Sequence, residues 1–381
     1  MVHPNIKFIR AVATMVGSVV GVGVFGLPFV FSQTGYGAGL LVLLLLSSTM
    51  TGILFMYADV IAHTPGEHRF AGIIETYLGK RFGRIATMTL VFGFWGAMLA
   101  YLVAGGKLLS ILFGLQGNVA ETFFGLCIAA LIGALSYRGL RFVARIEVWM
   151  LAGLIFLFSF IVLAAFPHAD LSRLADGTWN NGLLALYGVV FFSLTGGISA
   201  IPEMRALLGK RDSLPYAVFI GMACITALYA VFTFSVIAAT GTSTSEFAID
   251  ALVPLIGGSF RVIGVSLAVA SILSIYMVGS VELQNSLRYD NRLSRVAAWA
   301  LAIGVPVVLY LAGVRSFIGI LGFIGAVFAG VNGILVVFTY ERMRATKACR
   351  EHVCLEVPRV VTAGLVLLYL SGIVVTLYSF I

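Results

Sequence analysis

Charged residues are scarce in this chain. Only 10% of its 381 residues are Asp, Glu, Lys or Arg, whereas soluble domains carry roughly 25%. Hydrophobic residues make up 60%, and the mean hydropathy is +1.06. This composition excludes a soluble globular domain and indicates an all-α polytopic membrane protein.

The chain also has few residues suited to covalent or metal chemistry. Of its four cysteines, Cys127 and Cys224 lie in apolar runs, while Cys349 and Cys354 share a basic loop with His352. That loop alone supplies too few ligands for a metal site, so we expect no metal and reduced cytoplasmic thiols. There is no HExxH pair and no pair of apposed aspartates at membrane depth. We therefore expect no catalytic residue, no cofactor and no enzymatic activity.

The positive charge has a topological meaning. The formal net charge is +8, but the basic residues form short clusters between apolar runs, which does not favour nucleic-acid binding. The first apolar stretch, residues 11–31, is too long for the core of a secretory signal. We expect it to be retained as the first membrane span.

Eleven apolar runs are long enough to cross a bilayer, which needs about 20 residues. With so little chain between them, residues 1–381 are predicted to form a single transmembrane domain. The predicted spans cover residues 8–32, 37–61, 84–113, 119–136, 143–166, 181–207, 214–240, 260–287, 296–313, 316–340 and 357–381.

Lys and Arg follow alternate loops. They cluster at the amino terminus and after the second, fourth, sixth, eighth and tenth spans, whereas the other loops offer only Arg173, Arg261 and Arg315. Loops rich in Lys and Arg face the cytoplasm. The sequence therefore predicts a cell (inner) membrane protein with its amino terminus inside and, after eleven spans, its carboxyl terminus outside.

Two spans contain glycine clusters that favour local unwinding. The first has glycines at 17, 21 and 23, and the sixth has Ser193 to Gly197 followed by Pro202. Counted from opposite membrane faces at 1.5 Å per residue, both clusters lie roughly 15–22 Å deep, near the bilayer middle. The alternative is that these glycines only allow close helix packing.

The position of the two clusters indicates an internal repeat. They occur in the first helices of two consecutive five-helix sets, about residues 8–166 and 181–340, with an extra helix at 357–381. A five-helix set reverses its orientation when repeated, which is typical of inverted-repeat transporters with a midplane site. Unwound backbone there needs polar partners, and a zwitterion would supply both signs of charge.

Three segments resemble the amino acid/polyamine/organocation superfamily. GSVVGVGVFGLPFVFSQTG is similar to its first-helix signature, FFSLTGGISAIPE to its broken sixth helix, and YLGKRFGR to the connector before the third helix. The Leu27-Pro28 ending and the span count look most like the amino acid/auxin permease and aromatic amino acid permease branches. The resemblance implies a leucine-transporter fold, with a 5+5 inverted repeat plus an eleventh helix, and alternating access.

The resemblance also implies site residues. The substrate carboxylate would meet the amides of Val22 and Gly23, with Ser18 nearby. The ammonium would meet carbonyls of Phe192, Ser193 and Leu194.

An ion site is also implied by sodium-coupled members of this fold. Its ligands would be the carbonyls of Gly17 and Val20 with the hydroxyls of Ser271 and Ser274, which share a face of the eighth span. The alternative is that both serines bond only to their own helix. Some proton-coupled relatives place a lysine in the fifth helix, and residues 143–166 have none. The coupling ion, H+ or Na+, stays open.

Aromatic residues could form the wall of a side-chain pocket. Tyr101 and Tyr276 are the candidates, with Trp95 and Met98, although aromatic residues at this depth often serve packing. No charged residue is predicted beside the clusters, which favours a neutral, hydrophobic or aromatic substrate.

Charges near the inner face suggest a gate. An acid in a partly apolar region needs a basic partner, and a pair could break when the site opens inward. The alternative is that the acids pair locally with Arg205 and Arg288. The predicted gate residues are Lys7, Arg10, Glu203 and Glu282.

The sequence thus predicts a secondary active transporter for a neutral amino acid, driven by a proton or sodium gradient. An ion channel or a non-transporting sensor on the same fold is the alternative. The expected partners are the amino acid and the lipid bilayer, without nucleic acid. The oligomeric state is not specified by the sequence, and a monomer is the simplest expectation.

Overall fold

The computed structural model describes residues 4–64, 69–115, 117–137, 143–175, 177, 182–209, 213–289, 292–346 and 354–379. Every regular element in these ranges is a helix, as a bilayer requires of a chain whose backbone must satisfy its own hydrogen bonds. The α-helices are α1 (Pro4–Val19), α2 (Gly23–Thr34), α3 (Tyr36–His63), α4 (Phe70–Leu78), α5 (Lys80–Leu112), α6 (Asn118–Tyr137), α7 (Val143–Ala165), α8 (Leu183–Leu194), α9 (Gly197–Leu208), α10 (Leu214–Thr240), α11 (Ile249–Ile256), α12 (Gly258–Tyr289), α13 (Arg295–Leu311), α14 (Phe317–Phe323), α15 (Gly330–Arg344) and α16 (Arg359–Ser379).

Eight of the described helical segments are long and apolar enough to cross a membrane, or nine when α1 and α2 are taken together. Two shorter apolar helices cover Gly153–His168 and Arg295–Leu311. These ten or eleven segments fall on the predicted runs, and by length and composition the first eight or nine are candidate spans. Leu44 and Leu45, more than half exposed, have the exposure expected of lipid-facing side chains.

A short helix, α4, connects α3 to α5. It ends at Leu78, and α5 begins at Lys80. Gly79 separates them with a φ of +89°, a conformation that glycine adopts without steric cost. The Gly79 N–H donates to the Glu75 carbonyl oxygen at 2.9 Å and closes α4.

The interrupted helices lie in the packed interior. α1 packs along α9, and α2 packs along α8 and α10. A π-helical segment, Ile324–Ala329, joins α14 to α15 and packs against α8. At that contact a side chain on Gly325 would lie only 2.0 Å from the Gly188 carbonyl oxygen. The helices that contain the two breaks are therefore held in close contact with several neighbours.

Candidate functional site at two helix breaks

The first break consists of Val20, Gly21 and Val22. α1 ends before it and α2 begins after it, with a bend of 64° between the two helices. The Val20 N–H still bonds to the Val16 carbonyl at 2.9 Å, and the Phe25 N–H bonds to the Val22 carbonyl at 3.1 Å. The predicted interruption of the first span is confirmed. The Val24 N–H likewise bonds to the Gly21 carbonyl, at 3.4 Å. The amino end of α2 carries the positive end of its helix dipole, which favours an anionic group there.

The second break is a tight turn of two residues, Thr195 and Gly196. Their φ,ψ angles, −73°,−21° and −57°,−17°, remain in the right-handed helical region. The interruption is thus real but smaller than predicted, and residues 183–208 still form one span. The Thr195 N–H and hydroxyl both donate to the Phe192 carbonyl, at 3.2 and 2.8 Å. This carbonyl, predicted to bind the ammonium, already accepts two local bonds.

The two breaks touch each other directly. A Cβ atom on Gly23 would lie 2.5 Å from the Ser193 hydroxyl oxygen, and one on Gly196 would lie 2.0 Å from the Ser18 carbonyl oxygen. The Ser193 hydroxyl donates to the Val189 carbonyl at 2.8 Å. The sequence predicted a substrate site at these segments, but in this conformation their backbones are in contact there.

Tyr229 on α10 connects both breaks. Its buried hydroxyl lies 2.9 Å from the Ser193 carbonyl oxygen and 3.3 Å from the Val19 carbonyl oxygen. Sequence reasoning missed this residue because a single tyrosine in an apolar run gives no sign of its distant partners. The only available signal was a hydroxyl at membrane depth, where a polar group needs a partner.

The predicted aromatic wall remains a prediction, although two of its residues are neighbours. The rings of Tyr101 on α5 and Tyr276 on α12 are 5.8 Å apart, and both side chains are buried. The Tyr276 hydroxyl has no hydrogen-bond partner among the described residues, which makes it available to a ligand. Trp95 instead donates its indole N–H to the Leu301 carbonyl on α13 at 3.0 Å.

The sequence matches the tryptophan/tyrosine permease family over residues 5–378, nearly its whole length. This chain belongs to that family.

Curated relatives are similar at low identity. Tyrosine-specific transport system 1 of Haemophilus influenzae is 23% identical over 230 residues, which cover 60% of this chain and 57% of the relative. The low affinity tryptophan permease of Escherichia coli K12 is 24% identical over 229 residues, or 57% and 55% of the two chains. The tryptophan-specific transport protein of Pseudomonas aeruginosa is 27% identical over 146 residues, or 37% and 34%. The matches span about half or less of each relative. These relatives are named as transport proteins and not as enzymes.

The ion ligands proposed from the resemblance remain a prediction. Ser271 donates to the Leu267 carbonyl one turn back, at 2.9 Å. This is the bond expected if the serine only bonds to its own helix. Ser271 and Ser274 are half-buried, Val20 is buried and Gly17 is exposed. The hydroxyl oxygen of Ser271 keeps lone pairs for an ion while it donates to its own helix.

The predicted gate also remains a prediction. Lys7 and Arg10 lie on the exposed face of α1, and Glu203 is exposed on α9, which packs along α1. Glu282 is exposed near the end of α12. The structure thus places three of the four charges on two helices in mutual contact.

A charged cavity of about 270 Å³ lies away from the breaks, where α5, α6, α11 and α13 approach one another. Lys107 and Glu121 in its wall form an ion pair at 3.0 Å. Asp250 of α11 also lines it and accepts a hydrogen bond from the Ser245 hydroxyl. Burial raises the pKa of the Asp250 carboxyl, although the nearby Lys107 ammonium acts in the opposite direction.

We expect Asp250→Asn to stabilise the protein at neutral pH. Because the folded state raises this pKa, it favours the protonated carboxyl. That contribution to the free energy of unfolding is fully present at acid pH and is lost as the pH rises through the raised pKa. The neutral amide removes this loss, so thermal unfolding in detergent should give a higher Tm than wild type at neutral pH and a smaller difference at acid pH.

Asp170 provides the control with opposite sign. Hydrogen bonds from the Ser172 hydroxyl and backbone N–H lower the pKa of this exposed carboxyl. The ionised carboxylate therefore stabilises the folded state at neutral pH, and this stabilisation is lost as the pH falls. Asp170→Asn should slightly lower the Tm at neutral pH. An Asp250→Asn protein that is less stable than wild type at neutral pH would contradict the predicted burial cost.

Proposed function

We propose that this chain is a secondary active transporter for an aromatic amino acid, driven by a proton or sodium gradient. The proposed architecture is the leucine-transporter arrangement, with inverted repeats at about residues 8–166 and 181–340 and an eleventh helix at 357–381. Family membership supports amino acid transport, and the relatives are named for tryptophan and tyrosine.

The contact between the two breaks carries this proposal. The first break ends one helix and begins another within a candidate membrane span, and its α2 side carries the positive end of a helix dipole, which favours an anion. The Ser18 and Ser193 carbonyls lie where the breaks meet. A zwitterion bound between the segments would satisfy both kinds of backbone group, and an apolar packing role alone does not require the 64° bend.

The aromatic side chain of the substrate would meet the tyrosine pair. Tyr101 and Tyr276 offer ring faces and edges, and aromatic pairs contribute about 0.5–1.5 kcal/mol beyond area burial. The Tyr276 hydroxyl, without a partner among the described residues, could accept an indole N–H or pair with a phenol hydroxyl. This argument favours tryptophan or tyrosine over aliphatic amino acids.

An exposed polar face supports access from one side of the membrane. On α1, Lys7, Arg10 and Ser18 are exposed and lie along one face, and Ser199 and Glu203 are exposed at i, i+4 on the neighbouring α9. Such a face is costly against lipid. We therefore assign it to a water-filled path that leads to the breaks from the amino-terminal side, as alternating access requires.

Uptake into proteoliposomes tests the function. We expect saturable accumulation of radiolabelled tryptophan or tyrosine that depends on an imposed proton or sodium gradient and shows counterflow. Leucine and lysine serve as aliphatic and cationic comparisons. Conductance without saturation would indicate a channel, and binding without accumulation would indicate a sensor.

Reporter fusions test the proposed topology. Fusions at Glu246, after α10, and at Lys347, which lies outside the described residues, should report opposite sides of the membrane, with Lys347 cytoplasmic. This expectation follows from the basic clusters of the alternate loops. Same-side signals would contradict both the topology and the inverted repeat.

A further inference from the structure

Three metal-ligating side chains meet at the end of α3, far from the two breaks in sequence. Asp59 and His63 lie one helical turn apart on α3, and Cys354 reaches them from the segment before α16. One donor atom from each lies within 4.8 Å of the others. His63 is buried, and Asp59 and Cys354 are half-buried. The basic loop alone lacks enough ligands, as the sequence indicated, but the fold adds His63, 291 positions earlier in the chain, and Asp59, one helical turn before it.

The spacing of the donors fits a tetrahedral metal ion. His63 Nδ1 lies 3.2 Å from Asp59 Oδ1 and 3.7 Å from Cys354 Sγ. For Zn²⁺, with metal–ligand bonds of about 2.0–2.3 Å, tetrahedral geometry places neighbouring ligands roughly 3.3–3.6 Å apart. Nδ1 also lies 2.9 Å from the Asp59 carbonyl oxygen, and metal binding would replace that contact. The three donor atoms lie within 4.8 Å of one another, so the widest pair must move closer to bring all three donors onto one ion.

Further hydrogen bonds hold the ligands in place. The Leu355 N–H donates to Asp59 Oδ2 at 3.1 Å, which leaves Oδ1 directed at His63. The Val357 N–H donates to the Tyr340 hydroxyl at 3.2 Å, and Arg344 donates to the Val357 carbonyl at 2.8 Å. The first of these bonds orients a ligand directly, as outer contacts at metal sites do, whereas the other two fix the segment that follows Cys354.

The oxidation state of Cys354 decides whether the site is complete. The structure holds Cys354 in a disulfide, which corrects the expectation of a reduced thiol, and a disulfide sulfur is not a thiolate ligand. A phosphine reductant would cleave this bond. The phosphine is oxidised to its oxide with the oxygen of one water molecule, and the two sulfurs gain two hydrogens. Metal binding then displaces the thiol proton of Cys354.

We propose that Asp59, His63 and reduced Cys354 form a binding site for a divalent transition metal of the Zn²⁺ class. Three protein ligands leave one position for water. A bound ion would cross-link α3 to the segment that leads into α16. The site is separate from the proposed transport site and does not depend on that function.

Cobalt and zinc binding to the purified full chain test the site. The detergent-solubilised protein is treated with phosphine, stripped with a chelator and desalted. We expect one bound Zn²⁺ per reduced chain, and with Co²⁺ a near-ultraviolet thiolate-to-metal absorption band. Oxidised protein should lack both. Zinc should also raise the Tm of the reduced protein only, because a metal that binds the folded state alone stabilises it.

Matched variants identify the ligands. Cys354→Ser and His63→Ala should lose the cobalt band, and Asp59→Asn should weaken cobalt binding. The exposed Cys127 and Cys224 supply controls, and their serine variants should bind like wild type. A reduced wild-type chain without the cobalt band would overturn the proposal. So would a band that persists in His63→Ala and Asp59→Asn, because the thiolate would then bind metal without α3. The comparison of oxidised with reduced wild type needs no variant to fold.

Discussion

Gly23→Val is expected to abolish amino acid uptake while the protein still reaches the membrane. Even the Cβ atom of alanine at this position would lie 2.5 Å from the Ser193 hydroxyl and 2.9 Å from the Phe192 ring. Overpacking of this kind costs about 1–3 kcal/mol, and valine adds two further methyl groups where the proposed carboxylate binds. Uptake of labelled tryptophan or tyrosine in proteoliposomes, normalised to folded protein, measures the effect.

Gly21→Ala is the matched control inside the same break. A side chain at Gly21 would have only the Val19 carbonyl oxygen nearby, at 4.0 Å, so its uptake should stay close to wild type. Gly196→Ala, which meets the Ser18 carbonyl oxygen at 2.0 Å, should be as damaging as Gly23→Ala. If Gly21→Ala and Gly23→Ala lose uptake equally, flexibility of the break and not its close contact is what transport requires.

The first break was predictable because its cause is local. Glycine at positions 17, 21 and 23 lowers the helix propensity of the segment whatever its neighbours in the fold. The thickness of the bilayer sets the depth at which this cluster lies. The second break shows the limit of this reasoning. The Thr195 hydroxyl and N–H both bond to the Phe192 carbonyl, and these bonds keep the backbone close to helical where glycines alone suggested wider unwinding.

Contacts between distant helices were beyond sequence reasoning. The loop with Cys354 has too few ligands of its own to suggest a metal site. Nothing in the sequence connects it to Asp59 and His63, which lie near the end of a distant span. Likewise, the apolar run of α10 does not indicate which backbone atoms the Tyr229 hydroxyl reaches. In both cases a single sequence records the side chain, while the packing of several helices supplies its partner.

Tyr229→Phe is expected to impair uptake and to lower stability. Its hydroxyl lies within bonding distance of the Val19 and Ser193 carbonyl oxygens, one at each broken helix. A hydrogen bond contributes about 0.5–1.5 kcal/mol net, and a buried group left without a partner costs about 1–3 kcal/mol. Because the lost bond joins the segments that must hold the substrate, we expect roughly a ten-fold lower rate of uptake and a lower Tm.

Tyr57→Phe is the control that separates the bridge from the loss of a buried hydroxyl. Tyr57 on α3 is equally buried, but its hydroxyl has no hydrogen-bond partner among the described residues. Its removal should leave uptake unchanged and stability equal or slightly higher, since no bond is lost and a buried polar group is removed. A Tyr229→Phe protein that matches Tyr57→Phe in both uptake and Tm would show that the contact with the two carbonyls contributes nothing. A lower Tm with full uptake would show that Tyr229 contributes to stability and not to transport. A lower Tm together with reduced uptake is the result expected if Tyr229 holds the two breaks together.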